Sequence, residues 1–178
     1  MPAIFSLPSP LHPALVHFPI VLILLGAVVA VAAAFIRRWH LPVIAAVLFV
    51  LGAIGSVIAV QTGERDSELV GETAAIEQVL DQHEKWAERT QIAAIIVALL
   101  AVAAVVTSRW PLAARALGVA TAAGACAATW CVAETGHYGG QLVYRHGAGV
   151  NLMPAGADAA LAGSVDAKAK KARKDNDD

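Results

Sequence analysis

The chain has 178 residues and a formal net charge of -1; 58% of its residues are hydrophobic and only 15% are charged. Its mean hydropathy is +0.64. A water-soluble domain of this length needs more polar surface, and a nucleic-acid-binding protein usually carries a basic surface. The composition therefore excludes both classes and predicts a polytopic membrane protein whose surroundings are a lipid bilayer.

Four apolar segments follow one another along the chain and predict four membrane-spanning helices. They are residues 14–36, 41–60, 92–106 and 112–133. A span needs about 20 residues, so the third segment is short unless its helix begins earlier. We expect residues 1–154 to form one four-helix transmembrane domain. Residues 155–178, which hold almost no large apolar side chain, are expected to form a disordered tail.

The charges of the connections predict the orientation of the chain. The short connections after the first and third segments contain arginines and no acid: Arg37, Arg38 and Arg109. The connection at 61–91 has eight acidic residues and three basic ones. Because basic connections stay in the cytoplasm, we expect a multi-pass protein of the bacterial inner membrane with both termini in the periplasm. The basic run at 168–174 favours a cytoplasmic C-terminus, but it lies too far beyond the last span to determine the orientation of the chain.

An amphipathic helix is predicted to lead into the third span. Ile76, Leu80 and His83 recur at helical spacing, while Glu77 and Asp81 occupy the opposite face. The pattern predicts that His83 faces the bundle rather than water.

A glycine-rich stretch follows the fourth segment. Residues 134–150 contain five glycines together with Leu142, Val143 and Tyr144. Because glycine favours turns and close backbone contact, we expect this stretch to fold back as a cap over the mouth of the bundle. The predicted fold is thus an all-α membrane protein, a four-transmembrane-helix bundle with an outward amphipathic helix before the third span and a glycine-rich cap after the fourth.

Five of the six histidines lie at one end of this bundle. They are His12, His17, His83, His137 and His146. Ionisable groups at the edge of hydrocarbon are costly and usually functional, and imidazole binds iron, copper and zinc. His17 lies about one turn inside the first helix and His12 at its boundary, about 140° away around the axis. The pattern predicts a haem or metal site near one membrane face.

Three motifs in order resemble one bacterial membrane family. They are HPxxVHFPI from His12, the QTGERD and HEKWAERT stretches within 61–90, and GGxLVYxHGxGV from Gly139. The match covers about residues 11–150 and is similar to the family called domain of unknown function 2231. The resemblance implies four transmembrane helices and an association with haem or redox chemistry. His12, His17, His83 and His146 fall on its motifs, whereas His137 falls on a variable position.

Together these features favour a small b-type cytochrome that transfers electrons, rather than a stand-alone enzyme. We expect haem b between His17 and His83 as axial ligands, with His146 as the alternative ligand. Arg145 or His12 is expected to contact the propionates. The chain lacks a CxxCH motif, which excludes covalent attachment of haem. Electrons would pass from quinol or a membrane dehydrogenase to a periplasmic acceptor.

Two alternatives remain open. The same histidines, His17 and His83 first among them, could serve a copper or zinc handling protein, although a chain with only two methionines is poor in soft ligands for Cu(I). The chain could also be a non-redox accessory or scaffold subunit, in which the histidines only anchor the membrane interface.

The orientation can be tested by labelling single cysteines. In a chain carrying Cys126→Ser and Cys131→Ser, Glu77→Cys should react with a membrane-impermeant maleimide in intact spheroplasts, because residues 61–91 are expected to face outward. Ser108→Cys, in a cytoplasmic connection, should react only after permeabilisation. The reverse pattern would overturn the predicted orientation.

Overall fold

The computed structural model describes residues 11–36, 38–67 and 73–148. These ranges contain helices and no strand. The helices are α1 (His12–Leu15), α2 (His17–Phe35), α3 (His40–Ser67), α4 (Ala74–Val106) and α5 (Pro111–His146). Four candidate spans, formed by α1 with α2 and by α3, α4 and α5, are long and apolar enough to cross a membrane. The predicted all-α, four-span architecture is confirmed.

Local sequence signals set the helix ends. The hydroxyl of Thr73 accepts a hydrogen bond from the N–H of Ile76 at 3.4 Å and caps the start of α4. Pro111 begins α5, where its missing N–H costs nothing. Gly147 ends α5 in the left-handed conformation at φ 64°, and its N–H donates to the carbonyl of Val143 at 3.0 Å.

Three of the helices extend well beyond their apolar segments. α3 continues to Ser67, and α4 has 33 residues, about 50 Å of helix against about 30 Å of hydrocarbon. The predicted amphipathic helix and the third span are one continuous helix. Asp81 and Lys85 form an ion pair of 2.7 Å on its exposed face. Most of the predicted connection at 61–91 is therefore helical.

The glycine-rich stretch differs from its prediction. It continues α5 as a helix to His146 instead of folding back as a cap, and among the described glycines only Gly147 has a positive φ. Each glycine costs a helix about 1 kcal/mol, so packing against α4 has overridden the local preference. The predicted domain boundary at 154 and the tail at 155–178 lie outside the described residues.

The four long helices form a closed ring in which neighbours along the chain pack together and α2 packs on α5. Phe49, Ile23 and Val97 are the largest fully buried side chains, and alanines make up most of the remaining core. A Cβ atom at Gly26 would lie 3.0 Å from Cε1 of Phe49. The middle of the bundle is therefore filled by a few large side chains set against small neighbours.

The four tryptophans mark two levels along the bundle. Trp39 and Trp110 are exposed beside the two short connections, whereas Trp86 and Trp130 lie on α4 and α5 about 20 residues away. At a rise of 1.5 Å per residue this separation is about 30 Å, the thickness of the hydrocarbon core. Because tryptophan concentrates at membrane–water interfaces, the two levels indicate the bilayer surfaces.

These levels give the bundle two chemically different ends. The arginine end is defined by Arg38, Arg109 and Arg115. The histidine end is defined by His12, His83 and His146. Because α3, α4 and α5 extend past the tryptophan level only at the histidine end, the residues there lie at or just outside the membrane surface.

Truncation of the central aromatic side chain tests this packing. Phe49→Ala should lower the free energy of unfolding by about 3–5 kcal/mol, because a fully buried ring leaves a cavity. Phe35→Ala removes the same ring from a residue that is 82% exposed and should change the free energy of unfolding by less than about 0.5 kcal/mol. Denaturant unfolding in detergent micelles would measure both, and equal losses would contradict the described core.

Candidate functional site

His12 attaches the short helix α1 to the end of α3. Its backbone N–H donates to Oδ2 of Asp66 at 2.7 Å, and its ring Nδ1 lies 2.8 Å from the carbonyl oxygen of Ala59. The ring lies directly over Gly63, where a Cβ atom would be 3.0 Å from both Cε1 and Nδ1. Because no side chain occupies that position, the half-buried imidazole can lie against the backbone of α3.

His83 makes the equivalent contact between α4 and α5. Its ring Nδ1 lies 2.9 Å from the carbonyl oxygen of Thr135, and a Cβ atom at Gly139 would be 3.1 Å from its Cε1. The hydroxyl of Thr135 lies 2.9 Å from that of Thr90 and ties the same two helices together. His83 therefore faces α5, as its place on the apolar stripe predicts.

The two histidines occupy the same kind of seat. Ala59 and Gly63 are four residues apart on α3, and Thr135 and Gly139 are four apart on α5. In an α-helix the carbonyl of residue i points towards residue i+4, so a ring that reaches this carbonyl passes over the i+4 side chain. Glycine at i+4 leaves room for the imidazole. We call this arrangement the carbonyl–glycine seat.

The hydrogen bonds determine which ring nitrogens are available. A carbonyl oxygen only accepts, so Nδ1 of His12 and Nδ1 of His83 both donate and carry the proton of the neutral ring. Each Nε2 then keeps its lone pair. A histidine whose Nδ1–H is held by a carbonyl is the usual form of a metal ligand, because the bond fixes the tautomer and the ring orientation.

The rings of His12 and His83 lie close together. Their centroids are 6.2 Å apart and their planes make an angle of 88°. With a metal–nitrogen bond of about 2.0 Å, two imidazoles on opposite sides of one metal have centroids about 6 Å apart. The separation is therefore compatible with both rings binding one metal. The described residues contain no group of three or more His, Cys, Asp or Glu side chains that could hold an ion.

His17, expected from the sequence to bind haem between the helices, does not face into the bundle. His17 is the exposed first residue of α2, whereas Pro19, Ile23 and Gly26 form the buried face of that helix. Two residues separate His17 from Pro19, about 200° around the axis. Val16, between α1 and α2, keeps right-handed helical backbone angles, so the two helices form one span. The angle of about 140° between His12 and His17 around its axis therefore brings His12, not His17, to His83.

The other predicted residues lie farther along α5. His146 is half-buried in the last turn, seven residues beyond Gly139 and thus about 10 Å farther along the same face. Arg145 is exposed beside it. His137 is exposed as well, and its Nε2 lies 2.8 Å from Nε2 of Gln141 on the same helix.

The motifs on these helices identify the family. A family model described as "Predicted membrane protein (DUF2231)" matches residues 8–152. The chain belongs to this family, domain of unknown function 2231. The match includes every residue of both carbonyl–glycine seats. No curated protein and no solved structure matched the chain significantly.

Sequence reasoning missed the seat residues of this family member. The sequence places Gly139 in a predicted turn and Gly63 and Asp66 in a predicted connection, whereas all three lie in helices. The sequence pattern did not indicate that α3 and α5 continue beyond their apolar segments. Without that information, a glycine that makes room for an imidazole on a helix cannot be recognised. For His17 a signal was present, because nine residues, about 180° around the helix axis, separate it from the small residue Gly26.

Carboxylates surround the histidine end. Glu84 lies within electrostatic range of Asp81, Glu64 and Glu88, and Asp66 holds the backbone of His12. These five carboxylates outnumber the basic residues of the same stretch, Arg65, Lys85 and Arg89. The net charge there is therefore negative, which favours approach by a positively charged partner.

The seats predict a tautomer that NMR can read. With ¹⁵N-labelled histidine at alkaline pH, His12 and His83 should show protonated Nδ1 and unprotonated Nε2, and Gly139→Ala should remove this signature from His83 because its ring must move. We expect a loss in the free energy of unfolding of about 1–3 kcal/mol.

Gly140→Ala is the matched control for that measurement. A Cβ atom at Gly140 meets nothing within 4 Å, although the residue adjoins Gly139 on the same helix. This variant should keep both histidine signatures. Identical spectra for Gly139→Ala and Gly140→Ala would rule out the carbonyl–glycine seat.

Proposed function

We propose that the protein binds haem b through His12 and His83 and transfers electrons at the membrane surface. The observation that carries this proposal is the pair of equivalent seats: two imidazoles from different helices, each with Nδ1–H held by a carbonyl and with centroids 6.2 Å apart. His12 thus replaces His17 as the partner of His83.

The donor set fits haem better than a bare metal ion. Haem iron receives four bonds from its macrocycle, so two protein histidines complete its coordination. Structural zinc sites use four protein ligands and catalytic ones three. The described part of the chain contains no group of three or more His, Cys, Asp or Glu side chains that could hold an ion, so the two imidazoles belong to no such cluster. This observation favours haem over the copper or zinc handling alternative.

The location also supports a group bound at the mouth of the bundle. Ile23, Phe49 and Val97 fill the middle of the bundle, whereas His83 lies about one turn beyond Trp86 and its membrane interface. A group held there would be within reach of both a lipid-soluble donor and a water-soluble acceptor.

The protein's own residues would bind and orient the group. The carbonyls of Ala59 and Thr135 hold the rings and make Nε2 more basic, and Gly63 and Gly139 allow the rings close to the helices. Bound haem would supply one-electron transfer, and with His12 and His83 both holding its iron it would not bind oxygen.

The charge around the site suggests which partners exchange electrons with it. We propose quinol or a membrane dehydrogenase as electron donor and a positively charged soluble protein as acceptor, because carboxylates surround the histidine end. Arg145 and His146, on the helix that seats His83, are the proposed contacts of the propionates. His17, exposed on α2, has no assigned role in this site.

Absorption spectroscopy of the purified protein tests the proposal. Protein from haem-replete cells should show a Soret band and split α and β bands on reduction, with about one haem per chain. His12→Ala and His83→Ala should each lower the haem content more than tenfold, because loss of a carbonyl that only orients a ligand already costs about 10–100-fold.

The control is His17→Ala, which removes an exposed histidine five residues from His12 and should retain the spectrum. A colourless wild-type protein without iron would refute the cytochrome proposal and favour the scaffold alternative. Stoichiometric copper or zinc would favour metal handling. Loss of haem in His17→Ala but not in His12→Ala would exclude the proposed ligand pair.

A further inference from the structure

A cavity of about 490 Å³ opens at the arginine end, opposite the histidine site. Residues from all four long helices line it, so it lies at the mouth of the bundle. Ala101, Ala104 and Gly118 line its apolar interior, while Arg38, Trp39 and Arg115 stand exposed around it. Its volume falls in the range of ligand sites in proteins.

The cavity exists because the glycine there receives no large side chain. At Gly118 an added Cβ atom would meet nothing within 4 Å, whereas at Gly124, farther along α5, it would lie 3.0 Å from Val97. The opposing residues of α4, Ala101 and Ala104, are too small to fill the gap. The helices therefore leave open space at this end.

The charge at the cavity is positive. Arg38 and Arg115 contribute two guanidinium groups, and none of the described lining residues carries a carboxylate. Arginine presents a planar set of donors that matches phosphate oxygens. Trp39, beside Arg38, places this charge at the level where the headgroups of lipids lie.

We infer that this cavity binds one anionic phospholipid. Its phosphate would lie between Arg38 and Arg115, and an acyl chain would occupy the interior beside Gly118 and Ala104. Basic pockets between membrane helices recognise anionic headgroups in this way. A neutral lipophile could enter the apolar interior but would leave the two arginines without a counter-charge. The site is independent of the proposed haem site.

Native mass spectrometry of delipidated full-length protein in detergent tests this inference. Phosphatidylglycerol should bind more tightly than phosphatidylcholine with the same acyl chains. The double variant Arg38→Gln, Arg115→Gln should weaken phosphatidylglycerol binding about 30-fold, because each basic residue near a lipid surface contributes about a factor of five. Binding of phosphatidylcholine should stay within about twofold.

Arg109→Gln is the matched control. Arg109 lies at the same end, but its guanidinium covers the ring of Trp110 at 4.6 Å and does not line the cavity. Its loss should change phosphatidylglycerol binding by no more than about twofold. An equal effect of Arg109→Gln and the double variant would show that the net charge of this end, not the cavity, attracts the lipid, and would overturn the inference.

Gly118→Leu tests the apolar part of the site with both arginines intact. The new side chain would enter the open space and should weaken phosphatidylglycerol binding at least tenfold, while an unchanged melting temperature shows that the fold is retained. Equal binding of the two lipids, unaltered binding in Gly118→Leu, displacement by an equal concentration of inorganic phosphate, or co-purification of a quinone in the cavity would each overturn the inference.

Discussion

Large interior side chains of this bundle lie against glycines of neighbouring helices. The pairs are Phe49 on Gly26, Ile23 on Gly52 and Val97 on Gly124. An added Cβ atom at any of these glycines would lie 3.0–3.1 Å from its partner. Apolar side chains gain little in a bilayer by leaving lipid for another helix, so close packing has to hold the helices together. The glycine positions therefore set which helices approach and in which register.

The histidine site is a polar version of the same packing. His12 lies on Gly63 and His83 on Gly139, and in both cases a backbone carbonyl one turn earlier accepts a hydrogen bond from Nδ1–H. The orientation of each imidazole thus follows from the backbone of a rigid helix rather than from a flexible partner side chain. Two imidazoles held in this way would need no reordering to bind the proposed haem, which favours affinity.

The two ends of the bundle differ at the glycines that line the two sites. At the histidine end each of the two seat glycines is covered by a ring. At the arginine end nothing covers Gly118, and a cavity opens beneath Arg38 and Arg115. The filled end suits a tightly held group with defined ligands, whereas the open end suits a lipid whose chain adapts to the space.

The sequence by itself determined the four spans, the amphipathic start of α4 and the inward face of His83. These depend on hydrophobic periodicity along a single helix, which is a local property. It did not predict that residues 136–146 continue α5, because glycine disfavours helix locally and only contact with α4 compensates for that cost.

Only the tertiary structure decided the partner of His83. Helical geometry places His12 and His17 on different faces, but which face meets α4 depends on the contacts of α1 with Ala59 and Asp66. Those contacts join residues about 50 positions apart, beyond the reach of any local pattern. For the same reason the roles of Gly63 and Gly139 emerged only when the neighbouring helices were in place.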